Sequence, residues 1–136
     1  MEQKDKNKLY LMTFLLDSGI LYVLIKKKLH FFDKSWLLTT LLTHGTFFYA
    51  LKNNKRKILD FLHHLVFLLP LTSLFSKTIY PKILSLFLLI AIQFLWVIEN
   101  RCILNEENQS LGYGDITSIA TITLNTLLSF QIGKLI

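Results

Sequence analysis

The 136-residue chain is long enough for a single domain, is 52% apolar and carries a formal net charge of +6. So large an apolar share excludes an intrinsically disordered chain, and a lone cysteine, Cys102, excludes an intrachain disulfide and any CxxC redox or metal motif. The positive charge does not form a nucleic-acid surface: Lys26, Lys27 and Lys28, then Lys52, Lys55, Arg56 and Lys57, gather between apolar runs, a placement suited to phosphate headgroups.

The elements follow in chain order. A charged tail, residues 2–8, leads into an apolar run at 9–25 that ends in three lysines without a small-residue cleavage site, so it reads as a retained first helix and not a signal peptide. Further runs follow at 36–51, 58–75 and 83–98, the last opened by Pro81 in its first helical turn. Each run nearly matches a hydrocarbon core of about 30 Å, and Phe31, Phe32, Trp36, Tyr80 and Trp96 stand at the margins as interfacial aromatics do. A fifth segment, 116–132, is rich in hydroxyl and amide residues. Thr117, Thr121, Asn125 and Ser129 recur every four residues on one helical face, and Ile116, Ile119, Ala120, Leu124, Leu127 and Leu128 share another. A turn through Gly112 and Gly114, with Asp115 as N-cap, joins it to the fourth helix. The expected fold is all-α: an integral membrane helical bundle of four to five transmembrane helices, about 9–25, 36–51, 58–75, 81–98 and 116–132, in one domain whose first partner is the lipid bilayer. Flanking Lys and Arg divide eight against seven between the two sides if all five segments cross, which leaves orientation undecided.

Every run carries a polar residue close to its midpoint: Asp17, His44, the doublet His63 and His64, Gln93 and Asn125. An ionised Asp at mid-membrane costs roughly 2.5 to 3.5 kcal/mol on insertion scales, so Asp17 should be neutral, paired or facing water, with His44 its natural partner. Asp17, His44, Asp60, His63 and His64 form the candidate polar cluster. They act either as hydrogen-bonding glue between helices or as a route for protons, because imidazole titrates near neutrality. The spacing of Asp60, His63 and His64 resembles one histidine box of membrane di-iron desaturases and hydroxylases, but four histidines in the whole chain do not complete that ligand set. Nor do residues 111–115, LGYGD, extend beyond the five positions that resemble a potassium-channel filter. No cofactor is therefore expected.

The stretch containing Trp96, Asn100, Arg101, Cys102, Leu104, Glu106 and Glu107 resembles the W…N-x-C-x-L-(S/T)-x-x-E junction of small multi-pass membrane proteins of the DUF2784 type, found in bacteria and giant viruses. Asp60 with His63 or His64 matches the D…H pair one helix earlier in that kind of protein; Asn105 replaces the usual Ser or Thr. The resemblance implies a multi-pass bundle and supplies no mechanism, since the family has no assigned activity. Three function classes follow from these residues. The first is a non-enzymatic membrane protein acting through self-association or a membrane partner, the second a proton- or ion-coupled transporter or channel using Asp17 and the histidines, and the third a membrane enzyme with a metal or thiol centre.

Overall fold

The computed structural model describes residues 3–99 and 113–136, with the side chains of 96, 97, 99 and 113–119 left aside. The described residues form five helices and no strand: α1 (Gln3–Lys26), α2 (Phe31–Lys52), α3 (Arg56–Ser73), α4 (Ile79–Glu99) and α5 (Tyr113–Leu135).

The N-terminal segment expected as a tail is helical from Gln3. Local pairs support it: Gln3 Nε2 donates to Asn7 Oδ1 at 3.0 Å, and Asp5, in the first turn where a negative charge complements the helix dipole, lies 4.0 Å from Lys8. Helix α2 ends in a Schellman-type turn. Asn54 takes the left-handed conformation at φ 52°, and the amide of Lys55 reaches back to the Ala50 carbonyl at 2.9 Å. Lys6 Nζ donates to Asn54 Oδ1 at 2.6 Å, so the start of α1 and the α2–α3 turn share one end of the bundle. Residues Gly114 and Asp115, expected in a turn and at an N-cap, instead fall inside the first turn of α5, which already begins at Tyr113. A first turn tolerates both, since its amides need no intrahelical acceptor and its dipole favours an acidic residue.

At the opposite end two buried charges fix the α3–α4 turn. Asp33, fully buried near the start of α2, accepts from the backbone amides of Lys77 at 3.3 Å and Thr78 at 2.9 Å, which lead into α4. Lys82, only 3% exposed, donates to the carbonyls of Ser73 at 3.2 Å and Leu74 at 2.9 Å, where α3 ends, and to Gln131 Oε1 of α5 at 2.7 Å. An anion at a helix start and a cation at a helix end both complement the backbone dipoles. Lys82 is one of the seven cations in the flanking count above, and its burial sets it apart from the other six. Trp36 Nε1 donates to Leu69 O at 3.1 Å and to Thr72 Oγ1 at 3.0 Å, locking α2 on α3.

The apolar core is thin and split. Ile20, Val23, Trp36 and Leu37 form one cluster, Leu9 and Leu51 a second, and Leu89, Leu124 and Leu128 a third that joins α4 to α5. Gly19 lets α4 come close to α1: an added Cβ would stand 3.2 Å from Leu84 Cδ2. Helix α5 runs antiparallel to α4, because Asn125 Nδ2 donates to Gln93 Oε1 at 3.0 Å near mid-height while Gln131 meets Lys82 at the end.

Every helix turns large apolar side chains outward, with Phe14 64%, Leu42 74%, Phe61 63%, Phe94 64% and Phe130 62% exposed. Among the described helices α1 alone is long and apolar enough to cross a membrane by length and composition, and 28% of its apolar window is buried; the apolar part of α4, Ile79–Leu95, is shorter. The expectation of four or five spans is thus met by one helix on that criterion. Thr, His, Asn and terminal charges lower the averages of α2, α3 and α5.

Burial by itself pushes the Asp33 carboxyl up, but the hydroxyls of Thr78 and Ser76 and the amides of Thr78 and Lys77 outweigh it and hold its pKa below the usual aspartate value. A depressed pKa means that the stabilisation is complete above the unfolded-state value near 4 and is lost as pH falls through the lower folded-state value. Asp33→Ala should therefore cost about 2 kcal/mol at neutral pH. In urea or thermal melts the gap between wild type and variant should close only at strongly acidic pH.

Candidate functional site

Helices α1 and α2 cross so that their midpoints meet. Asp17 and His44, predicted partners, are joined there: His44 Nδ1 lies 2.5 Å from Asp17 Oδ1, with side chains 12% and 20% exposed respectively. A hydrogen bond joins the imidazole to the carboxylate, and pairing offsets the cost of placing either group away from water.

Phase along α3 separates the other three members of the expected cluster. His63 faces inward and is 8% exposed, its ring 6.5 Å from those of His64 and Phe67. His64, one residue and about 100° further around the helix, is exposed. Asp60 is exposed as well and lies 4.0 Å from Arg56 one turn earlier, a surface ion pair. The Asp60, His63, His64 spacing therefore does not converge on one point, and no group of three metal-ligating side chains occurs among the described residues. The side chain of Trp96, and Asn100, Arg101, Cys102, Leu104, Glu106 and Glu107 of the junction motif, lie outside the described residues.

Inside α1–α4 runs a cavity of about 100 Å³. Its wall is overwhelmingly apolar, and its polar points are Thr13, Thr40, Thr43, His44, His63 and Ser85. The three threonines bond back to carbonyls of their own helices: Thr13 to Leu9, Thr40 to Trp36 and Thr43 to Thr39, at 2.8 to 2.9 Å. Ser85 differs. It is 1% exposed, and its hydroxyl makes no hydrogen bond among the described residues. An Asp–His pair beside a serine has the composition of a hydrolytic triad, but without a Ser85–His44 hydrogen bond the nucleophile–base link is not formed.

Sequence reasoning passed over Asp33, Lys82 and Ser85. The first two flank apolar runs, as interfacial charges do, and Ser85 is the single serine of a leucine-rich helix. No protein-family model, curated protein or solved structure matches this chain.

Double-mutant cycles in detergent should give a coupling of about 0.5 to 2 kcal/mol between Asp17→Asn and His44→Gln, the range of interhelical hydrogen bonds. Asp60→Ala and His64→Ala should each change folding stability by less than about 0.5 kcal/mol. Equal losses at His63 and His64 would contradict the inward and outward assignment of the doublet.

Proposed function

We propose that this chain is a five-span integral membrane protein without enzymatic activity, whose interior polar groups hold the helices together. One observation carries the reading: large apolar side chains face outward on every helix, whereas Asp17 with His44, and Gln93 with Asn125, pair inward. This is the arrangement a hydrocarbon solvent selects. Average hydropathy counts a side chain whichever way it faces, so inward-facing His44, Thr40 and Thr121 lower the averages of α2 and α5 without touching lipid. Outward hydroxyls support the same solvent. Ser18 bonds to Phe14 O, Thr46 to Leu42 O and Thr126 to Ile122 O, each at 2.9 to 3.0 Å, so none needs water. His64 differs, an exposed imidazole near the middle of α3, and on this reading its face is the one offered to a second copy or a membrane partner.

The internal use of Lys82 supports one orientation. With α5 antiparallel to α4, Lys134 stays with Lys26, Lys27, Lys28, Lys34 and Lys77, and removing Lys82 leaves six flanking cations there against eight on the N-terminal side. The positive-inside rule then sets the N-terminus in the cytoplasm. A second reading, a proton route, is favoured by His44 and His63 lining one cavity beside Asp17.

The protein should resist alkaline carbonate extraction, and a tag on the N-terminus should be cleaved by protease only after the cytoplasmic face is opened. Release into the aqueous fraction would refute the membrane reading. Reconstituted wild type should show no proton flux above empty liposomes; flux that Asp17→Asn abolishes while leaving the melt cooperative would establish the second reading instead.

A further inference from the structure

The cavity between α1 and α4 has a shape that interhelical glue does not require. On α1 its wall runs from Leu9 through Leu16 to Ile20, about 16 Å at 1.5 Å per residue. On α4 it is built by Ser85, Leu88, Ile92 and Leu95, one stripe at helical spacing. The cavity is therefore an elongated slot along the bundle axis, and its volume of about 100 Å³ accommodates about seven to ten water-sized units. Walls of this kind do not favour water, which needs two to four polar partners, whereas apolar cavities take up hydrocarbon. Length, volume and lining suit one extended alkyl chain of medium length.

The polar points select the head of that chain. Ser85 offers one O–H donor and two acceptor lone pairs, all unused within the described residues at 1% exposure. Among the described residues the ionisable groups on the wall are His44, already committed to Asp17, and His63, so these residues bring no lysine or arginine to neutralise a carboxylate or phosphate head. A neutral hydroxyl satisfies Ser85 without bringing in a charge that burial would penalise.

We infer that the axial slot is a binding site for a single-chain neutral lipid with a hydroxyl head, a medium-chain alcohol, whose chain lies along the α1 and α4 stripes and whose O–H exchanges a hydrogen bond with Ser85. The site stands on the packing of α1–α4 and goes beyond the membrane reading, which supplies only a nearby source of such lipids.

The test uses full-length protein in a steroid-based detergent that has no alkyl chain, with a diazirine-labelled decanol as the probe. Photolabelling should saturate at one probe per chain and map to α1 and α4. Unlabelled decanol should compete about tenfold better than decane, the value of one hydrogen bond of about 1.4 kcal/mol. Ser85→Ala should reduce that preference to about twofold while decane still competes. Leu88→Trp, which fills the slot, should abolish labelling, and Ile92→Phe serves the same purpose if that variant loses its cooperative melt. Labelling that rises linearly without saturating, or that survives both filling substitutions in folded protein, would overturn the site; an alcohol preference unchanged in Ser85→Ala would overturn the headgroup assignment. Aqueous release in the carbonate experiment tests the membrane reading separately, because the binding assay needs no bilayer.

Discussion

The bundle depends on a pair of opposite charges buried at one end. Asp33 gathers the amides that open α4, Lys82 gathers the carbonyls that close α3, and Gln131 brings α5 to the same lysine. Buried ions are costly, and these two are tolerated because each meets backbone dipoles of the opposite sign. Since they come from α2 and α4, and their acceptors and donors from the α3–α4 turn and α5, they set four helices in register at once. The mid-height pairs then follow: with the end fixed and α5 antiparallel to α4, Asn125 meets Gln93.

Polarity is distributed by height. The ends carry solvated lysines, the Schellman turn at Asn54 and the Asp33–Lys82 junction. The middle carries the Asp17–His44 and Gln93–Asn125 pairs and the threonines that bond back to their own helices. Between these layers the inward surface is aliphatic, and the imperfect meeting of four aliphatic stripes forms the axial slot. The three small core clusters reflect the same geometry, because a slot along the axis prevents Ile20, Leu9 and Leu89 from joining one continuous core.

Much of this was legible in the sequence, for a definite reason. Five helices and their approximate centres follow from run length and period, and the Asp17–His44 partnership follows because a carboxylate and an imidazole at equal depth have few alternatives. Rotation about a helix axis was less legible: the doublet His63–His64 offers two phases, and only packing against α2 and α4 decides that His63 turns inward. Depth near helix ends was not legible at all. Asp33 and Lys82 look like the lysines that surround them, since composition cannot distinguish a charge that faces solvent from one that caps a distant helix. The start of α1 was missed because polarity was taken for irregularity, although Lys, Gln and Asp in a first turn are good helical company.

Pro70 sits inside α3 and forms part of the cavity wall. It supplies no amide to the carbonyl of Val66 one turn earlier, so at that level the helix lacks one of the rungs that stiffen its neighbours. Of the four staves around the axis, α3 is accordingly the one that yields most easily to sideways bending. A guest entering the slot would part the bundle there, between α3 and an adjacent helix, while the charge-locked turn just beyond keeps the far end closed.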